Sequence, residues 1–268
     1  MFKLQMRVTG RERKEVAGLI ASHFKTQAVY EGVPSFGYLI REPIGREWRV
    51  DKTGAILTEG TAKDNLAGMF TVLKAMEESG VEAIGQAEVT ISTEGHNGIT
   101  LRNLINILAA KEQFITKVTG AAGHPFIDQE MVTAVNDVRL KTVGDFLEAV
   151  SGKGCPGIVI TKDTLTFSWF IATLNPEAIQ AYIHLAFAVN RLALAQKHSS
   201  PRETETANEK YTFRVWLLRL GFIGEEYKTS RKMLLDRLSG DGSFRTQDQA
   251  QEAVRKRKDR RNESRAVV

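Results

Sequence analysis

Cysteine is almost missing from this sequence: Cys155 is the only one in 268 residues. That excludes an internal disulfide and any cysteine-clustered zinc site. Beside Pro156, with no base close to it in sequence, the thiol reads as a small core filler rather than a nucleophile. No uninterrupted apolar run approaches the roughly 18 to 20 residues of a membrane span. The first residues, MFKLQMRVTGRERK, lack a signal peptide's apolar stretch, so a cytoplasmic protein with no membrane partner is expected. No strand is expected to end in a glycine-rich phosphate loop, which argues against a Rossmann nucleotide site. The body of the chain also lacks net charge. The formal +5 sits entirely between Arg255 and Val268, where seven basic groups face only Asp259 and Glu263. A basic body would point to nucleic acid, whereas a basic tail points there only through its own residues, Arg255, Lys256, Arg257, Lys258, Arg260 and Arg261.

The patterning that is present belongs to a mixed fold. Phe2, Leu4, Met6 and Val8 alternate with Lys3, Gln5 and Arg7, which predicts a strand buried on one side. Thr9 is placed to cap a helix to about His23, strands are expected near 28–40 and 47–56, and a helix over 64–79 stops at Gly80. A strand over 88–94 presents Thr90 and Ser92 on its polar side. After it, Thr100 is expected to cap a long helix to about Val118, and 127–150 to be helical with glycine breaks. Strands at 158–161 and 165–173 follow, the second with Thr164, Thr166 and Ser168 on one side. Pro176 opens an apolar helix, 198–208 reads as a polar linker, and two helices, 209–220 and 225–238, flank Gly221-Phe222-Ile223-Gly224. The expected fold class is α+β, a mostly antiparallel sheet covered by helices on one face. It divides into a body over 1–207, a C-terminal helical pair over 208–245 packed on it, and a basic, disordered tail over 246–268.

Several passages resemble the amidoligase family, glutamine-synthetase-like carboxylate–amine ligases often encoded on bacterial mobile elements. They are FKLQMRVTGRER, GREWRVDKTGAI, EVTISTEGHNGITLRNLINILAAKEQ, TLTFSWFIATLNPEAIQAYIHLA and NEKYTFRVWLLRLGFIGEEYKTSRKMLLDRLSG. The resemblance implies ATP-dependent activation of a carboxylate, with Mg²⁺ held by hard oxygen ligands against the phosphate charge. It implies two Glu on the first strand, where this chain has Gln5 and Arg7. It implies two His on the strand before the long helix, where Thr90 and Ser92 stand, and a Glu and an Arg on the late hairpin strand, where Thr166 and Ser168 stand. If these strands share a face, that face is expected to offer no carboxylate and a repelling Arg7, and the ancestral metal–nucleotide site is expected to be dead.

The expected activity is therefore that of a pseudoenzyme binding a protein or small ligand, without cofactor. One alternative is an active ligase using ATP and Mg²⁺ at a relocated site built from Glu31, Asp51, Glu94 and His96. Turn and strand-end roles explain those four residues equally well. The other alternative is a nucleic-acid accessory protein acting through the tail. Phe167, Trp169 and Phe170 read as sheet core, and His124 and His184 as structural. Tyr30, Phe36, Tyr38 and Trp48 form a candidate contact patch. The final helix pair superficially suits a DNA-reading helix-turn-helix, although its first helix is too apolar to stand free.

Overall fold

The computed structural model describes residues 1–60, 66–120, 127–153, 155–246, 249, 251–252 and 255–256; Asp64 and His124 lie outside them. The alternating opening segment forms β1 (Phe2–Thr9), with its apolar set buried and its polar set exposed. After α1 (Arg13–His23) come the short strands β2 (Ala28–Tyr30), β3 (Tyr38–Arg41), β4 (Glu47–Val50) and β5 (Ala55–Gly60). Then follow α2 (Ala67–Glu78), the long strand β6 (Glu82–Ser92) and α3 (Gly98–Thr119), the longest helix described. The second half runs α4 (Gln129–Asp137), α5 (Val143–Ala149), β7 (Ile158–Ile160), β8 (Thr164–Ile171), α6 (Pro176–Ala195), α7 (Glu209–Arg219) and α8 (Lys228–Asp236).

The eight strands make one sheet in the order β2-β3-β4-β5-β1-β6-β8-β7, and all neighbours are antiparallel. The fold class is α+β, as the patterning predicts. One face is roofed by helices: α1 on β2 to β4, α6 on β6, and α3 on β8, with α2 bridging α1 and α6. Into that layer point Phe2, Leu4, Met6, Trp48, Val89 and Phe167, each at most 2% exposed. Each such burial stabilises by roughly 1.5–3 kcal/mol. Trp169 and Phe170 are buried as well. The C-terminal pair leans on the same roof, α8 against α3 and α6, while Phe213 of α7 packs 5.8 Å from Phe114 of α3.

Several local expectations are corrected. Thr9 stays in the strand; Gly10 turns the chain at φ 86°, and a Cβ there would sit 2.2 Å from the Gly80 carbonyl oxygen. Glu12 is the cap of α1 instead, with its N–H donating to the Glu15 carboxylate at 3.0 Å. Asn97, not Thr100, caps α3; Thr100 is its capping-box partner. The strand expected over 47–56 is a hairpin, because Asp51 Oδ1 accepts from the N–H of Thr53 (2.7 Å) and of Ala55 (2.9 Å) and closes a turn. The strand expected over 28–40 is likewise two, interrupted around Gly32 and Pro34.

The linker over 198–208 is tied down: Asn103 donates to the Gln196 carbonyl (2.7 Å), Asn106 to that of Ser199 (2.8 Å) and Gln113 to that of Thr204 (2.7 Å). Pro176–Ala195 is, by length and composition, apolar enough to cross a membrane, but 56% of its most apolar window is buried inside the protein. The sequence also contains one dinucleotide-like spacing, Gly152-x-Gly154-x-x-Gly157. It leads from α5 into β7, so it opens no helix and offers no helix N-terminus to a phosphate; Gly154 itself lies outside the described residues.

Candidate functional site

The face of the sheet opposite the helices carries the residues on which the dead-site reading turns. Strands β1, β6 and β8 are adjacent, and their pleat puts Gln5, Arg7, Thr90, Ser92, Thr166 and Ser168 on that one side. Thr90 and Thr166 are cross-strand partners whose hydroxyls hydrogen-bond at 2.9 Å. Ser92 lies opposite Thr164. Ser168 is buried at the far end, where its N–H donates to the Gly157 carbonyl at 2.9 Å. The residue of β1 in line with Thr90 and Thr166 is Lys3. Gln5 lies opposite Glu88 instead, and a bulge after Met6 sets Arg7 opposite Ile84.

The expectation that this face offers no carboxylate is wrong. Glu59 of β5, Glu88 of β6 and Glu47 of β4 share it through the strand register, because each alternates in phase with Gln5. Sequence reading treated three strands, whereas the sheet brings five together. Most of this acidity is already matched. Lys3 pairs with Glu59 at 2.8 Å. Arg49 reaches Glu31 at 2.9 Å and Glu47 at 3.4 Å, and Arg41 reaches Glu47 at 2.9 Å. The hydrogen bond from Arg41, with Arg49 behind it, holds the Glu47 carboxyl below the ordinary carboxylate range. Among the described residues, no three His, Cys, Asp or Glu side chains converge as a metal site would need. Chemically the face is a hydrogen-bonding surface of hydroxyl, amide and mostly paired charges, with Arg7 and Glu88 in no ion pair among the described residues.

The four residues proposed for a relocated site do not converge. Asp51 and Glu31 lie level with Arg7, toward the Thr9 end of β1, whereas Glu94 and His96 lie beyond its Phe2 end. The strand between them spans roughly 25 Å. Asp51 is spent on its turn, and Glu31 on Arg49 and on the Ser35 hydroxyl (2.9 Å). Glu94 is exposed. His96 is a tie between layers: its Nε2 lies 2.7 Å from Asn190 Oδ1 on α6, and its Nδ1 lies 3.0 Å from the Thr100 hydroxyl. Burial pushes its pKa down, against the pull of Asn190.

Of the aromatic patch, Trp48 is fully buried and donates to Glu42 at 2.7 Å, while Tyr30 and Phe36 remain exposed. In the helix pair, Arg231 donates to the carbonyls of Phe222 (2.9 Å) and Gly224 (3.0 Å), which removes it from any reading surface. Arg255 and Lys256 are exposed and helical, and Lys256 pairs with Glu252 at 2.7 Å. Arg257, Lys258, Arg260 and Arg261 lie outside the described residues. Sequence reading missed one charged surface altogether. Lys111 of α3, Arg219 of α7 and Arg245 line a common groove, and no local spacing signals residues so far apart in the chain.

No protein-family model matches the chain, and no curated protein matches it. Among solved structures, it is similar to a chain in the crystal structure of the complex between the prokaryotic ubiquitin-like protein Pup and its ligase PafA. The match has 11% identity and a TM-score of 0.32, and covers 78% of this chain. This chain spans about half, 49%, of the length of that one.

Proposed function

We propose that the chain is a catalytically inactive protein resembling the amidoligases, a cytoplasmic binding or regulatory protein of a bacterial mobile element. Its partner is a protein or a small ligand, and its role is in maintaining the element or countering a host defence. The observation that carries this reading is the state of the open face. Where the resemblance calls for metal-ligating acids and histidines there are hydroxyls and an amide, and Glu31, Glu47 and Glu59 are engaged by Arg49, Arg41 and Lys3. A divalent cation drawn to those three acids would have to displace their partners. Glu88, opposite Gln5, has no ion pair among the described residues, but a single carboxylate with amide and hydroxyl oxygens holds such an ion poorly.

Thermal unfolding of the pure protein with millimolar ATP, with and without Mg²⁺, tests the reading. A ligand at a hundred times its dissociation constant adds roughly 2.7 kcal/mol to stability, so a surviving metal–nucleotide site would be plain. No Mg²⁺-dependent shift is expected. A shift that requires Mg²⁺, with ATP-dependent amide formation lost on substituting Thr90 or Thr166, would overturn the reading and restore the ligase.

A second reading, a nucleic-acid accessory role for the tail, is favoured by the concentration of the whole net charge between Arg255 and Val268. A gel-shift comparison of the full chain with one ending at Val254 checks it, and equal binding would remove the tail from consideration.

A further inference from the structure

The groove between α3 and α7 holds about 610 Å³ and is lined by Lys111, Arg219 and Arg245, together with Thr206, Tyr211 and Thr212. One acid, Glu205, also lines it. Neither Lys111, Arg219 nor Arg245 has an ion-pair partner within 4.0 Å among the described residues. This sets the groove apart from the open face of the sheet, where Lys3, Arg41 and Arg49 each meet a carboxylate. Lys111 donates to the Thr204 hydroxyl and lies over the Phe114 ring, 6.0 Å from its centroid; neither partner carries a negative charge.

Convergent like charges repel, most strongly where water is partly excluded. Here that repulsion acts: burial first, and Arg219 second, hold the Lys111 ammonium below the usual lysine range. The walls are nonetheless fixed. Gln113 donates to the Thr204 carbonyl at 2.7 Å, and the Thr206 and Thr212 hydroxyls bond at 2.7 Å. The arrangement is a preformed cationic cleft with hydroxyl donors and one half-buried aromatic side, Tyr211.

We infer that this groove binds the phosphate group of a phosphate ester, with Lys111, Arg219 and Arg245 as the cationic contacts and Tyr211 beside the esterified organic group. An ammonium and two guanidinium groups around one pocket suit a phosphate oxyanion, which accepts charge-assisted hydrogen bonds from several sides. A phosphate-linked base beside Tyr211 gains stacking as well. The inference stands apart from the reading of the open face, and neither depends on the other.

The test uses the full chain and three probes: inorganic phosphate, AMP, and a single-stranded dT10 oligonucleotide, each titrated at low and at moderate salt. Arg219 and Arg245 are exposed, so Arg219→Glu and Arg245→Glu should leave the melting temperature nearly unchanged. Each should weaken binding of the preferred probe by about ten-fold or more, and binding by the wild type should fall as salt rises. Preference for AMP over dT10 would identify a small phosphate ester, and the reverse a polymer backbone. Binding of every probe undiminished in both variants would assign it to the tail and overturn the inference. So would failure of all three to bind at about 1 mM, above the range of even non-specific phosphate contacts.

Discussion

The open face of the sheet and the groove beside α7 are both polar and both rich in cations, yet they are opposites in charge balance. On the sheet, register sets Lys3 of β1 opposite Glu59 of β5 and Arg41 of β3 opposite Glu47 of β4, and Arg49 lies two residues along β4 from Glu47, so the pleat itself delivers these cations to acids. In the groove, Lys111, Arg219 and Arg245 come from three separate segments, with Glu205 the sole acid on the lining. Pairing within a sheet is a local consequence of alternation. Convergence of unpaired charge across helices has to be built by packing, and it persists only where the surrounding structure holds it.

That difference gives four ways to break or sharpen the contrast. The largest effect should come from unfastening the segment that leads into the groove wall. Asn106 is fully buried, donating to the Ser199 carbonyl at 2.8 Å and to Asn136 at 3.0 Å. Asn106→Ala leaves a buried carbonyl unsatisfied and should cost about 2–3 kcal/mol in chemical unfolding. It should also raise hydrogen exchange in the segment over 198–208 while leaving β1 and β6 unaffected.

Next, Arg49→Glu should convert balance into excess on the sheet. It removes the cation shared by Glu31 and Glu47 and sets a third carboxylate beside them. A loss of about 1–2 kcal/mol is expected from the broken pairs and the new repulsion. Millimolar Ca²⁺ should then raise the melting temperature of the variant and not of the wild type. An equal response in both would mean that the pairing does not govern cation binding on this face.

His96 joins the end of β6 to α6, and its effect is bounded by one proton. Its folded pKa is depressed below the ordinary value of 6.5, so the folded state binds fewer protons than the unfolded state does. Its contribution is therefore present above about pH 6.5 and is lost as the pH falls, with a slope of at most about 1.4 kcal/mol per pH unit. His184 is depressed in the same direction by burial, so unfolding should be followed from pH 7 to 5 in His96→Gln and His184→Gln separately. Each substitution should flatten part of the slope. The smallest effects belong to the open face itself. Thr166→Val should cost about 0.5–1 kcal/mol through the lost hydroxyl pair with Thr90, and Gln5→Ala within about 0.5 kcal/mol.

The strands were legible wherever alternation was clean. In β1 a period of two, with one side helix-covered, fixes which residues are buried. β8 keeps that period only to Phe167, after which a register shift leaves Ser168, Trp169 and Phe170 all buried. Hairpins were less legible. Asp51 turns the chain by accepting hydrogen bonds from Thr53 and Ala55, a device that a strand-rich stretch conceals. Glu94 and His96 follow the end of a strand and Glu31 and Asp51 lie in the early hairpins, as expected, but strand direction separates the two pairs to opposite ends of the sheet. Glu47 and Glu59 join the open face only because β4 and β5 lie beside β1, which no local pattern reveals, whereas Glu88 stands on β6 itself, two residues before Thr90 and in the same phase.

By itself, the sequence determined the α+β class, the buried faces of the strands and helices, and the loading of net charge into the last residues. These follow from periodicity and composition, which act over a few residues at a time. Tertiary structure alone decided the strand order β5-β1-β6-β8 that sets Lys3 in line with Thr90 and Thr166. It alone fixed the pinning of 198–208 by Asn103, Asn106 and Gln113, and the meeting of Lys111, Arg219 and Arg245. Those arrangements join residues about a hundred positions apart, and only the burial of a common core brings such residues within reach of one another.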